Sequence, residues 1–105
     1  MPIQFIGLKS LSAEELTDLQ RVTKTELPKV ERILKKAKVI IDVKGYEKDG
    51  ARAKFSLHAR LECPSLLMTA EADSWEIATA AHKIFDKLVT EMQHKFKTEF
   101  SAKKQ

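Results

Sequence analysis

The stretch ARAKFSLHARLEC, residues 51–63, alternates strictly between apolar and polar side chains. Its odd positions are Ala51, Ala53, Phe55, Leu57, Ala59 and Leu61, and the even positions between them are Arg52, Lys54, Ser56, His58 and Arg60. Because successive side chains of a β-strand point to opposite faces, this period of two predicts a long strand. One face of the strand is apolar and the other is basic, which is typical of an antiparallel sheet with one solvent-exposed face.

Three other segments are predicted to be strands. Residues 38–46, KVIIDVKGY, alternate in the same way, with apolar side chains at the odd positions up to 43. The Asp49-Gly50 pair that follows tolerates the positive φ angles of a tight turn, so it predicts an antiparallel hairpin with residues 51–63. The other two are a short first strand and a last strand: IQFIG at residues 3–7 and LLMTAEA at residues 66–72.

Two long segments are predicted to be helices. The first begins with a capping box, in which Ser12 and Glu15 satisfy each other's backbone amides. It runs to about residue 35, and Pro28 is expected to kink it or to make it restart. The second helix is predicted to be capped by Asp73 or Ser74. The apolar stripes are Leu16, Leu19, Thr23, Leu27, Val30 and Leu34 in the first helix, and Ile77, Ala81, Ile84, Leu88, Met92 and Phe96 in the second.

The order of these elements, β-α-β-β-β-α, predicts an α+β two-layer sandwich. A mainly antiparallel four-stranded sheet would carry two helices on one face and expose the other face. The chain of 105 residues has room for one core. We expect a single domain over residues 1–100 and a basic tail at residues 101–105 that frays.

Charge and cysteine content restrict the partners and the compartment. The chain has 19 Lys and Arg against 15 Asp and Glu, a formal net charge of +4 that suits a polyanionic partner. Its one cysteine cannot close an intramolecular disulfide, and it contains neither a signal-peptide pattern nor an apolar run of about 20 residues. These features predict a cytoplasmic protein that does not enter a membrane.

Side chains suited to catalysis or metal binding are few and scattered. His58, His82, His94 and Cys63 have none of the spacings of zinc sites. The three glycines stand too far apart for a phosphate-binding loop, and the Glu14-Glu15 pair lies at a helix start, where it complements the helix dipole. We therefore expect a protein that is not an enzyme, with no cofactor, no metal and no small-molecule substrate.

The strongest functional indication is the basic surface. Cations at alternate strand positions stand about 6.6 Å apart, close to the spacing of phosphates along a nucleic-acid backbone. Within the long strand only Glu62 opposes them, although a solvated polar face is the alternative interpretation. The candidate RNA-binding residues are Lys29, Arg32, Arg52, Lys54, Arg60, Lys83 and Lys87.

Two local motifs and the element order resemble the hibernation-promoting factor and ribosome-associated inhibitor family. Residues 27–32, LPKVER, resemble the family's L-x-K-L-E-R segment late in the first helix, and residues 86–88, DKL, resemble its D-K-L in the last helix. The resemblance implies a translation inhibitor active in ribosome hibernation and stress response. It implies binding to ribosomal RNA of the small subunit where messenger and transfer RNA would lie. Long members carry a further C-terminal domain that pairs ribosomes, so a chain with no such domain after Lys97 is expected to be monomeric.

Two other functions are consistent with the sequence. A double-stranded RNA binding module shares an α-β-β-β-α order and places lysines near the start of its last helix, as Ala81-His82-Lys83 does here. A protein-interaction or self-assembling subunit would use the edge of the first strand, or the Phe96 and Phe100 end of the last helix.

Overall fold

Four strands and two long helices follow one another in the predicted order β-α-β-β-β-α. The computed structural model describes residues 3–33, 36–47, 53–64 and 66–104, and within these ranges all side chains except those of residues 10, 46, 47, 53, 66 and 95–104. The elements are β1 (Ile3–Ile6), a short 3-10 helix (Leu8–Ser10), α1 (Ala13–Ile33), β2 (Lys38–Glu47), β3 (Ala53–Cys63), β4 (Leu66–Ser74) and α2 (Ile77–Lys104). The predicted Asp49-Gly50 turn and Arg52 lie outside the described residues.

The four strands form one mixed sheet in the order β1-β2-β3-β4. β2 pairs antiparallel with β3, and β3 pairs antiparallel with β4, as the hairpin pattern predicts. β1 pairs parallel with β2, because α1 carries the chain back across the sheet between these two strands. The predicted α+β two-layer sandwich is confirmed, with one parallel strand pair in a mainly antiparallel sheet.

The core lies between one face of the sheet and the two helices. Phe55, Leu57, Ala59 and Leu61 of β3 are all buried, as their alternation predicts. The predicted α2 stripe is also confirmed from Ile77 through Met92, and Phe96 lies outside the described side chains. Each fully buried leucine or isoleucine stabilises the fold by about 1.5–3 kcal/mol. The other face of the sheet, hereafter the open face, is turned away from both helices.

The first helix begins as predicted and is not divided by its proline. The Ser12 amide donates to Glu15 Oε1 at 2.8 Å, and the Glu15 amide donates to Ser12 Oγ at 3.2 Å. α1 then continues through Pro28, whose side chain is exposed, so the helix does not restart there. Its buried stripe is Leu19, Val22, Thr23, Glu26 and Val30. The predicted Leu16 and Leu27 are only half-buried, and Leu34 lies outside the described residues.

The start of the second helix differs from the prediction. Asp73 and Ser74 both remain in β4, paired with Ser56 and Phe55 of β3, so the helix begins only at Ile77. Ser74 Oγ still accepts a hydrogen bond from the Glu76 amide at 3.3 Å, directly before the helix. The Glu76 carbonyl accepts the first helical hydrogen bond, from the Ala80 amide at 3.0 Å. Continued strand pairing therefore shifts the start of the helix by two or three residues.

Gly7 ends β1 in a conformation that requires glycine. Its φ is +84°, in the left-handed region. A Cβ atom at this position would stand 2.2 Å from the backbone oxygen of Val43. The close approach of this turn to β2 thus depends on the missing side chain.

Candidate nucleic-acid interface

The predicted RNA-binding residues lie in three separate places. Lys54 and Arg60 belong to β3 and point to the open face, because their odd-numbered neighbours fill the core. Lys29 and Arg32 are exposed on α1, and Lys83 and Lys87 are exposed on α2, beside the edge strand β4. The set therefore does not form one continuous basic surface. Arg52 lies outside the described residues.

Strand register determines which side chains of β2 and β4 lie beside the even-numbered residues of β3 on the open face. His58 of β3 is opposite Asp42 of β2 and Glu71 of β4. Ser56, next along the same face, is opposite Lys44 and Asp73. The two flanking strands thus bring carboxylates to a row that is basic in the sequence of β3.

Two ion pairs and one histidine–carboxylate contact involve the basic row. Lys54 Nζ lies 3.5 Å from Asp73 Oδ2, and Arg60 Nη1 lies 3.6 Å from Glu62 Oε2. His58 Nδ1 lies 3.3 Å from Glu71 Oε2, and its Nε2 lies 3.4 Å from Ser56 Oγ. Such surface pairs contribute only about 0–1 kcal/mol each, so a strong polyanion can displace them.

The open face as a whole carries both signs of charge equally. Among the residues that the structure describes, its permanently charged side chains are Lys38, Lys44, Lys54 and Arg60 against Asp42, Glu62, Glu71 and Asp73. The prediction of a basic open face is therefore wrong for these residues. The alternation within β3 was interpreted correctly, but the prediction did not take into account the charged residues that β2 and β4 bring to the same face.

The two lysines of α2 cover the outer edge of the sheet. Lys83 Nζ donates to the backbone oxygen of Asp73 at 3.4 Å, and Lys87 Nζ donates to the backbone oxygen of Glu71 at 2.5 Å. A charged side chain over an edge strand prevents another strand from pairing there. Lys83 and Lys87 thus stabilise the edge of β4 and still expose positive charge to solvent.

Glu26 is a charged residue that the sequence analysis missed. Only 5% of its surface is exposed. Its carboxylate has two partners: Lys29 Nζ at 2.7 Å and His82 Nδ1 of α2 at 2.9 Å. The hydrogen bond from Lys29 is the main reason why the pKa of Glu26 is lowered, and the bond from His82 adds to it against the desolvation that raises the pKa. Lys29 is consequently engaged with a buried carboxylate.

The described residues offer no metal site and no membrane-spanning helix. Among them, no group of three His, Cys, Asp or Glu side chains converges to hold a metal ion. His58 and His82 are each paired with a carboxylate on another element. No helix in the described part of the chain is both long and apolar enough to span a bilayer.

Solved structures with the same fold are known, although the comparisons of sequence alone found no match to this chain. No family model matches the chain, and no curated protein sequence matches it significantly. The Thermus thermophilus Protein Y N-terminal domain superposes with a TM-score of 0.69 at 16% identity, over 90% of this chain and 98% of that one. A ribosomal subunit interface protein from Coxiella burnetii superposes with a TM-score of 0.62 at 20% identity, over 93% of this chain and 99% of that one. At these identities the likeness establishes that the chain has the fold of these two proteins.

Proposed function

We propose that this protein binds the ribosome, docks on ribosomal RNA of the small subunit and inhibits translation. The observation that carries the proposal is the fold likeness to a ribosomal subunit interface protein over 93% of the chain. The net charge of +4 is consistent with an RNA partner, because cations that neutralise phosphates release condensed counterions.

The helical cations are the best candidates for contact with phosphates. Lys83 and Lys87 donate only to backbone oxygens, so their charge is not neutralised by a carboxylate among the described side chains. Arg32 is exposed near the end of α1. Lys54 and Arg60 would first have to leave Asp73 and Glu62, and Lys29 would have to leave Glu26. We therefore assign the larger share of binding to Arg32, Lys83 and Lys87.

The proposed mechanism is occupancy of a channel. A preformed sandwich needs little ordering when it binds, and contacts to phosphates position a protein without reading sequence. A protein held where messenger and transfer RNA would lie excludes them sterically. No bond is made or broken, so the proposal requires neither a catalytic residue nor a cofactor.

Cosedimentation with purified small ribosomal subunits tests the proposal. Binding should weaken steeply between about 50 and about 300 mM salt, because several phosphate contacts are lost together. It should survive an excess of a non-ribosomal RNA duplex. Loss of binding to this competitor would indicate a general double-stranded RNA module, and absence of binding at every salt concentration would overturn the proposal.

Charge reversal identifies the surface that is used. The double variant Lys83→Glu and Lys87→Glu should reduce subunit affinity at least about tenfold at low salt, since two phosphate contacts become repulsive. The double variant Lys24→Glu and Lys36→Glu makes the same change in net charge at two exposed positions outside the predicted set, so it is a control for general charge. A second measurement is the displacement of messenger RNA from the small subunit. A protein that occupies the channel must exclude messenger RNA from it.

A further inference from the structure

A broad trough crosses the open face and continues around the edge of β4 onto α2. Its volume is about 1060 Å³, and every strand of the sheet contributes to its lining. Four strands spaced about 4.8 Å apart extend over roughly 14 Å, which an extended polypeptide crosses with about four or five residues. The trough is thus long enough for a peptide segment.

The trough is acidic although the protein is basic. Its permanently charged lining residues are Asp42, Glu71, Asp86 and Glu91 against Arg60 and Lys87. Arg60 pairs with Glu62, whereas Lys87 donates to the neutral backbone oxygen of Glu71 and keeps its charge. The Glu71 carboxylate contacts His58 Nδ1 at 3.3 Å. Asp42, Asp86 and Glu91 form no ion pair with any side chain that the structure describes.

The charges of the trough are combined with apolar contact surface. Ile6 is 47% exposed at the β1 end, and Ile40 is half-buried beside it. Asp42 and Glu71 lie on strands separated by β3, so they are roughly 10 Å apart. This is close to the roughly 9 Å between side chains three positions apart in an extended peptide of polyproline II conformation, where every third side chain points to the same side. An aliphatic stem that ends in a positive charge fits both kinds of surface.

We propose that the trough is a docking site for a basic, extended segment of a partner protein, rich in Lys or Arg. Charge complementarity favours this occupant over RNA, because a phosphate backbone laid in the trough would meet four carboxylates. The proposal is independent of the proposed ribosomal function, whose phosphate contacts we assign mainly to the exposed cations of α1 and α2. The two surfaces meet at Lys87, which lines the trough and is also assigned to the phosphate contacts, whereas Arg32 and Lys83 are not among the residues that line it.

Paired charge changes of opposite sign test the proposal. The probe is a fluorescent peptide of about nine residues with arginine at every third position, which is the repeat of the polyproline II conformation. Its binding is measured by anisotropy at low salt. The double variant Asp42→Asn and Glu71→Gln should weaken peptide binding about 5- to 30-fold, because two complementary charges are lost. The variant Arg60→Gln should instead tighten it by about two- to fivefold, since it removes a repulsive charge from the trough.

Controls separate the trough from the overall charge and from folding. The double variant Glu14→Gln and Glu76→Gln removes the same charge at two exposed positions outside the trough and should leave peptide affinity within about twofold. Unfolding curves must show that all variants remain folded. Equal weakening by trough and control variants would overturn the proposal. The proposal would also be overturned if the peptide did not bind, while an RNA probe bound the Asp42→Asn and Glu71→Gln variant more tightly and the Arg60→Gln variant more weakly. That result would assign the trough to RNA.

Discussion

Glu26 of α1 accepts a hydrogen bond from His82 Nδ1 of α2 at 2.9 Å, across 56 positions of sequence. The carboxylate is buried, whereas about half of the His82 side chain is exposed, so the pair lies at the margin of the helix–helix contact. Lys29 completes the cluster from the solvent side. This arrangement fixes how the two helices pack together and gives stability a dependence on pH.

Replacing Glu26 should reveal that dependence. We expect Glu26→Gln to lower the free energy of unfolding at neutral pH by about 1–2 kcal/mol, because charge-assisted hydrogen bonds from Lys29 and His82 are weakened. The folded pKa of Glu26 lies below its ordinary value of 4.5, so the stabilisation is complete well above that pH and is lost as pH falls through the folded pKa. Denaturant unfolding of both proteins between about pH 7 and about pH 3 measures this difference.

The control for this experiment is Glu91→Gln on an exposed part of α2. Its stability difference from the wild type should be small at every pH, since no described side chain pairs with Glu91. If the Glu26→Gln difference stayed constant down to about pH 3, the carboxylate charge would not be the source of the stabilisation.

Pro28→Ala should stabilise the protein. Pro28 lies inside α1 at an exposed position, where it cannot donate to the carbonyl of Lys24 and its ring crowds that carbonyl. Alanine restores the donor and has the highest helix propensity, so we expect a gain of about 1 kcal/mol or more and a rise in Tm of several degrees. Thermal unfolding followed by circular dichroism is the measurement. A lower Tm would mean that α1 accommodates the proline through contacts that alanine loses.

Gly7→Ala should destabilise the protein by more than about 2 kcal/mol. The alanine Cβ would be strained by the positive φ and would collide with the backbone oxygen of Val43. Gly45→Ala in β2 is the matched control, because Gly7 is the position with positive φ among the described glycines. Comparable destabilisation by the two substitutions would indicate a general loss at glycine positions, without a specific requirement at the end of β1.

Asp73→Asn should strengthen binding to small ribosomal subunits if Lys54 contacts phosphate. The substitution removes the carboxylate 3.5 Å from Lys54 Nζ and leaves the side chain almost the same size. We expect a two- to fivefold gain in affinity at low salt that disappears at about 300 mM, because exposed charges are screened. An unchanged affinity in the cosedimentation assay would exclude Lys54 from the phosphate contacts and would leave the helical cations as the binding set.

Local patterns in the sequence were sufficient to predict the elements of the fold. The alternation of residues 53–63 follows directly from strand geometry, and the reciprocal bonds of Ser12 and Glu15 involve positions only three apart. The apolar repeat from Ile77 through Met92 requires only helical geometry. These features depend only on residues that are close together in the sequence, so they can be predicted without the tertiary structure.

Tertiary structure decided which charges meet. The alternation of β3 shows a basic row, but the register with β2 and β4 places Asp42, Glu71 and Asp73 beside it. In the same way, Glu26 is buried because α2 supplies His82 from 56 positions away. The sequence by itself determined the elements and their apolar faces, since these depend on neighbours within one turn or one strand. The electrostatic character of each surface depends on strand register and helix packing, which bring together residues that no local pattern connects.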